Sequence, residues 1–401
     1  MTGIAPFRIA RLARMVFGAG AVHSVAAETR PFGRRALVVT GRSSFRASPR
    51  WAAFEADCRA EGLSFETVTV EGEPSPDLVD AAVADFRGAG IEAVIGLGGG
   101  SALDAAKAIA GLLPTGNSVM DHLEGVGRGV PYVGPSLPFV AVPTTAGTGS
   151  EATKNAVLSR RGPDGFKKSF RDEKLVAKFA IVDPDLLDGC SPEQLAANGM
   201  DAFTQLLESY VSIRANPLTD AVAWSGLEAF RDGFWDAWEG AGRQDERTAA
   251  GRSGIAYASL VSGITLAQTG LGSVHVLASP LGARYPVPHG TVCGSLLAPA
   301  TAINIRALKA RRPDSPGLEK YARVGRLLSG REFLDRDSAL AALTDILAEW
   351  SERLRMPRLA GYGMVEADIS GIAAAAAATG MKTNPLPLSE AETAELLEDR
   401  L

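Results

Sequence analysis

The chain has 401 residues, a length that predicts two or three domains, with 46% hydrophobic and 22% charged residues. Those proportions exclude a disordered, collagen-like or coiled-coil chain. Forty-one Lys and Arg against 46 Asp and Glu leave a net charge of −5, which argues against nucleic acid as the main partner, because phosphate binding needs a basic face.

The N-terminal stretch Met1 to Gly20 carries Arg8, Arg11 and Arg14 and no acid, but it lacks the apolar core of a targeting signal. Met15-Val16-Phe17 reads as a strand and Gly18-Ala19-Gly20 as a tight turn, so the segment is expected to open the fold. Short β-like runs then alternate with helical patterns. Strands are expected at Ala36–Thr40, Ser64–Val70, Ala93–Leu97, Phe139–Val142 and Phe179–Val182. Helices are expected at Trp51–Glu61, at Asp77–Ala89 ending on Gly90, and at Ala102–Leu113. Apolar strands alternating with amphipathic helices indicate a mainly parallel sheet covered on both faces.

After Asp183-Pro184 the strand-like runs nearly vanish. Ser191-Pro192-Glu193 opens a helix with an N-cap, a proline at N1 and an acid in the first turn, continuing to about Ser212. A domain boundary is placed near residue 185, giving an α/β domain over 1–185 and an all-α domain over 186–401. Arg311–Pro316 reads as a surface loop, and the Ala-rich Ile372–Ala378 as a buried helix. No apolar run reaches the ~18–20 residues that a bilayer span needs.

Two loops carry chemistry. Gly98-Gly99-Gly100-Ser101 follows a strand and opens a helix, with Asp104 in its first turn. Glycines there let the backbone approach an anion, and the helix start offers free N–H groups. The pattern is not GxGxxG, so that fingerprint does not apply. The second loop, Pro143–Glu151, is dense in hydroxyls and glycine. Two such loops at strand ends of one α/β domain point to a dinucleotide.

Of the four histidines, His23 and His122 read as surface or structural residues, while His275 and His289 lie 14 residues apart. Asp201 and Gln205 stand at i and i+4 and so share a helix face. Two imidazoles and a carboxylate are a common divalent-metal set, although on spacing alone core histidines are the better reading. Cys58, Cys190 and Cys293 are odd in number and unclustered, read as small buried hydrophobes in a reducing, cytoplasmic compartment.

Taken together, Phe17–Gly20, Gly98–Asp104, Pro143–Glu151, Ile181–Pro184, Asn198–Ala202 and the His275–Gly290 segment resemble the iron-containing (group III) alcohol dehydrogenases, over essentially the whole chain. The resemblance implies a Rossmann-like dinucleotide-binding domain plus an all-helical domain, the architecture shared with dehydroquinate synthase. It implies a cleft where a divalent metal, Fe(II) or Zn(II), meets the nicotinamide, and a homodimer or larger homo-oligomer. The implied activity is hydride transfer between NAD(P)(H) and a small alcohol or carbonyl.

By position, Asp201, His275 and His289 fall on metal-ligand positions. Gly98, Gly99, Gly100, Ser101 and Asp104 fall on the diphosphate loop, and Thr144, Thr145 and Thr148 on the second cofactor loop. Lys167 aligns with a cofactor-contacting lysine, and Lys168 is the near alternative.

Three positions depart from the family pattern. Gln205 replaces a histidine as the fourth metal ligand, an amide oxygen being a weaker donor. Ser279 replaces a histidine tied to proton handling, so its hydroxyl or a water is the expected relay. Gly41 replaces an aspartate that binds ribose hydroxyls; with Arg42, Ser43 and Ser44 beside it, the segment favours NADP(H) over NAD(H). Glu73 stands where relatives carry Asn. Two other expectations compete: a non-redox cyclase or lyase of the dehydroquinate synthase type, and a metal-independent or non-catalytic descendant.

Overall fold

The computed structural model describes residues 4–42, 45–162 and 165–401. Strands β1 (Arg14–Phe17), β2 (Arg35–Gly41), β3 (Ser64–Val70), β4 (Ala93–Gly98) and β5 (Phe139–Pro143) all join one sheet. A hairpin of β6 (Asn155–Arg160) and β7 (Phe166–Arg171) stands apart, and β8 (Phe179–Val182) returns to the sheet. The six sheet strands run in the order β1-β8-β5-β4-β2-β3, every pair parallel.

Both faces of the sheet are covered. The short α1 (Val25–Thr29) and α2 (Pro49–Ala60) pack with Ala36, Val38, Ile95 and Leu97 on one face. On the other, α3 (Pro76–Phe86) and α4 (Gly100–Leu112) pack with Leu37, Val39 and Val94. Alternate strand residues therefore serve opposite cores, which explains why these strands read as unbroken apolar runs. The change of face falls between β2 and β4, whose carboxyl ends lie side by side; a Cβ on Gly98 would come 3.1 Å from the Gly41 nitrogen. Such a switch point is where an open α/β sheet forms its ligand crevice.

The expected strands and helices are present, β3 and β8 with the expected ends and the others with ends shifted. The helix read as Asp77–Ala89 stops at Phe86, because Gly88 and Gly90 both take positive φ. The β6–β7 hairpin was not expected: its strands mix polar and apolar residues without strict alternation, although Gly162 and Gly165 flank its turn, with the Gly165 N–H donating to the Gly162 carbonyl at 2.9 Å.

Among the described residues beyond Val182 there is no strand. The helices are α5 (Pro192–Val211), α6 (Pro217–Glu239), α7 (Glu246–Thr269), α8 (Ser273–Arg284) and α9 (His289–Arg311), then α10 (Pro316–Ser329), α11 (Arg336–Arg353), α12 (Glu366–Ala378) and α13 (Glu390–Glu398). Ser191 closes a capping box with Gln194 at the start of α5. Two expectations need correction. The Ala-rich helix is half-exposed, with Ile372, Ala373 and Ala376 inward and Ala374 and Ala375 outward; alanine favours the helix without needing burial. By length and composition α9 is apolar enough to span a bilayer, with mean hydropathy 1.2, but 78% of that window is buried inside the protein, as a core helix requires.

The helical part locks onto the sheet through glycine. Gly149, at φ +60°, lies so close to α7 that a Cβ on Gly263 would meet the Gly149 carbonyl oxygen at 2.1 Å. Only two glycines allow that backbone-to-backbone approach.

Candidate active site

The two loops expected separately lie against each other. A Cβ on Gly99 would come 3.3 Å from the Thr145 hydroxyl, and one on Gly100 2.7 Å from the Thr148 side chain. Gly99 caps α4 without any side-chain bond and its carbonyl accepts from the Ala102 and Leu103 N–H groups, so the N–H groups of Gly100 and Ser101, which line the crevice, are the ones left without a helix partner. Thr144 joins the loops through its N–H to the Gly98 carbonyl at 3.0 Å. Ser101 and Asp104 line the same cavity.

The loops rest on a buried cation that the sequence pattern did not reveal. Lys107 is fully buried and donates to Ser150 O (2.8 Å), Ser150 Oγ (3.0 Å), Thr153 Oγ1 (3.0 Å) and Asn155 O (2.7 Å). Ser150 Oγ in turn donates to Asp104 at 2.5 Å. Burial lowers the Lys107 ammonium to about 8, against the pull of Asp104 and Glu151. Burial likewise raises the Glu151 carboxyl to about 7. Asp104 is thus committed to the loop's internal network. Lys107→Met keeps the bulk but strands those acceptors and leaves Asp104 without its cation, so it is expected to cost about 3–5 kcal/mol of stability in urea unfolding.

Four side chains from three helices converge beside the loops. Asp201 comes from α5, His275 from α8, and His289 and Cys293 from successive turns of α9; one donor atom of each lies within 4.8 Å of the others. His275 Nε2 is 3.2 Å from Asp201 Oδ1, and His289 Nε2 is 3.8 Å from the same atom. A Cβ on Gly290 would come 2.4 Å from the Ala197 carbonyl, so glycine is what lets α9 begin directly against α5.

Burial opposes ionisation of Asp201, but His289 and His275 outweigh it and hold the carboxyl at about 2. Burial brings His289 down to about 4, so its imidazole is neutral near pH 7. Burial also works against a charged His275, but Cys293, Asp201 and Glu208 around it prevail and hold it well above the ordinary imidazole range. Burial pushes the Cys293 thiol up to about 12.

An ionised carboxylate, a neutral imidazole and a second imidazole oriented by a carboxylate suit a divalent metal. The orienting acid is Glu208, which accepts from His275 Nδ1 at 2.8 Å and from the N–H groups of Gly272 (2.8 Å) and Val274 (2.7 Å). Glu208 was not anticipated, although its position at i+7 from Asp201 puts it on the same face of α5.

Gln205 sits beside this cluster but presents the wrong end. Its Nε2 donates to Asp201 Oδ1 at 2.9 Å, and its Oε1 accepts from Ser262 Oγ of α7 at 2.7 Å. Ser279 lines the cavity, but its hydroxyl donates to the Lys167 carbonyl at 3.0 Å. The expected relay proton is therefore engaged in holding β7 to α8.

Lys167 faces the cavity while Lys168 is exposed, so strand alternation separates the two lysines. The Lys167 ammonium pairs with Glu73, whose other oxygen accepts from Ser159 at 2.6 Å. This pair accounts for the acid before Pro74.

Gly41 ends β2 at the switch point, and a Cβ there would meet nothing within 4 Å. Arg42 is exposed and lies 3.6 Å from Glu71. Ser43 and Ser44 lie outside the described residues. His23 pairs with Asp57 on the surface, and His122 stacks on Phe170, both away from the cleft. Arg284 and Lys154 pair with Asp368 and Glu173.

Residues 13–184 match the family profile described as iron-containing alcohol dehydrogenase, and residues 195–401 match its C-terminal counterpart. The chain belongs to the iron-containing alcohol dehydrogenase family. It is similar to the sulfoacetaldehyde reductase of Bilophila wadsworthia, at 30% identity over 96% of both chains. It is also similar to the probable alcohol dehydrogenase EutG of Salmonella typhimurium, at 32% identity over 81% of this chain and 77% of that one. Among solved structures, an archaeal alcohol dehydrogenase from a Red Sea brine pool superposes with a TM-score of 0.88 at 26% identity, each chain fully covered. A 1,3-propanediol oxidoreductase gives 0.87 at 28%, covering 99% of this chain and 100% of that one. As a member of this family, the chain is a metal-dependent alcohol dehydrogenase or aldehyde reductase that uses a nicotinamide cofactor.

Proposed function

We propose that this dehydrogenase works as an NADP(H)-preferring reductase of small aldehydes, with a divalent metal held by Asp201, His275 and His289. One observation carries the reading: donor atoms from α5, α8 and α9 converge beside a cavity of ≈ 370 Å³ that His275 and His289 line together with Gly100, Ser101 and Thr148 of the cofactor loops. When bound, the metal supplies Lewis-acid stabilisation of developing negative charge on the substrate oxygen. The protein's own groups do the rest. The first-turn N–H groups of α4, with Thr145 and Thr148 facing them, hold the cofactor's diphosphate. The Glu73–Lys167 pair and the apolar Leu266 and Leu271 wall off the cavity, which orients the carbonyl and keeps water out.

The division at residue 185 belongs to the same reading, with the nucleotide on the 1–185 side and the metal on the 186–401 side. So does a reducing cytoplasmic setting, supported by three free, buried cysteines. A homo-oligomer is supported by the edge position of β1, beside exposed Ile4, Phe7 and Phe17.

The test is NADPH and NADH oxidation against small aldehydes, anionic ones included because Arg171 lines the cavity, on protein stripped of metal and then reloaded. Metal-restored turnover, faster with NADPH, supports the reading; equal turnover in the stripped protein sinks it. Cofactor choice has its own variant. Gly41→Asp fits without a clash and adds a carboxylate at the end of β2, beside which this reading puts the 2′-phosphate. It is expected to weaken NADPH roughly 10- to 100-fold while leaving NADH binding equal or improved. Unchanged NADPH kinetics in that variant would mean that Gly41 does not face the ribose.

A further inference from the structure

Residue 205 presents its amide nitrogen, not its oxygen, to the metal-ligand cluster. Its amide nitrogen faces Asp201 and its oxygen is taken by Ser262. The corner it leaves is occupied from the next turn of α9. Cys293 is fully buried, and its Sγ lies 3.6 Å from His275 Nε2 and 3.8 Å from His289 Nε2. We propose that Cys293 supplies a thiolate as the fourth protein donor to the metal, and that this donor makes the site select zinc over iron. The inference rests on the metal reading above and extends it to the chemistry of the donor set.

The separations fit one ion. A tetrahedral zinc centre, with bonds of about 2.0–2.1 Å to N or O and about 2.3 Å to S, spaces its donors about 3.3 to 3.6 Å apart. Here four of the six donor pairs stand at 3.2, 3.6, 3.8 and 3.8 Å and the other two lie within 4.8 Å, so a modest contraction of the cluster brings all four donors into bonding range. His289 and Cys293 at i and i+4 present their donors from one face of α9, as a chelating pair must. As the ion enters, the thiol proton leaves to solvent and the sulfur lone pair forms the bond, with no change of oxidation state.

The thiolate also leaves the reaction side open. His275 and His289 line the cavity and Cys293 does not. Cys293 therefore backs the metal from the protein interior, and a substrate oxygen arriving from the cavity side would bind as a fifth ligand, an expansion that zinc allows. A thiolate among imidazoles and a carboxylate favours the softer ion, whereas an all-N/O set would suit iron as well.

The experiment titrates metal-stripped enzyme with Co(II) and records the near-ultraviolet spectrum. A thiolate-to-cobalt charge-transfer band is expected in the natural protein, retained in Gln205→Ala and lost in Cys293→Ser while cobalt still binds. X-ray absorption of the zinc-loaded natural protein is expected to show one sulfur at about 2.3 Å, and it decides the matter alone if Cys293→Ser fails to fold. In anaerobic competition between equimolar Zn(II) and Fe(II), Cys293→Ser is expected to shift occupancy at least about 10-fold toward iron. Stoichiometric cobalt without the band, or a band that survives Cys293→Ser, overturns the assignment of Cys293 but leaves the metal reading standing. Failure of cobalt to bind at all overturns both.

Discussion

His289→Ala and Asp201→Ala are expected to reduce turnover at least about 1,000-fold while the protein stays folded and still binds nucleotide. A Lewis acid at the substrate oxygen contributes several kcal/mol to the transition state, and each 1.36 kcal/mol is a decade in rate. The two residues enter the site from different helices, so either loss opens the cluster on a different side. The cofactor loops belong to the sheet side and should be untouched. Circular dichroism, bound metal per chain and NADPH fluorescence titration separate a lost metal from a lost fold. Near-normal turnover in a folded, metal-free His289→Ala protein would remove the metal from the mechanism.

Glu208→Gln is expected to weaken metal binding about 10- to 100-fold at alkaline pH, with a smaller difference near pH 6. The sign follows from His275. In the metal-free protein the neighbouring acids hold the His275 proton well above the usual imidazole range. The metal must displace that proton, so affinity rises with pH until His275 ionises on its own. Replacing Glu208 with glutamine removes one of those acids and lowers the His275 pKa. Proton competition then weakens at low pH, partly offsetting the lost orientation, while at high pH only the loss remains. Glutamine keeps an oxygen for only one of the two sites that Glu208 offers, Oε2 to the Gly272 N–H and Oε1 to the Val274 N–H, so circular dichroism and thermal unfolding are recorded alongside to measure any loss at the start of α8. A uniform loss at every pH would assign Glu208 to structure alone; a changed pH profile marks it as the positioning group for His275.

Local pattern alone carried much of this protein. Apolar runs at β2, β4, β5 and β8 marked a sheet buried on both faces, because strands covered on both sides cannot alternate. The two Gly- and Thr-rich loops were legible because few other uses justify that many glycines at a strand's end. Asp201, His275 and His289 were singled out by the family resemblance that several motifs in order carry, since spacing alone favoured core histidines. What local pattern could not decide was which helix faces meet. Spacing puts Asp201 and Gln205 on one face of α5, but Ser262 of α7, 57 residues further on, takes the amide oxygen. Spacing also puts Cys293 one turn after His289, yet nothing local distinguishes a core thiol from one packed among imidazoles. Glu73 found its meaning only when the β6–β7 hairpin brought Lys167 across to it, 94 residues away in the chain. Periodicity sets the direction of each side chain relative to its own helix or strand. The partner it meets depends on packing among distant elements, and that is decided only when the whole core closes.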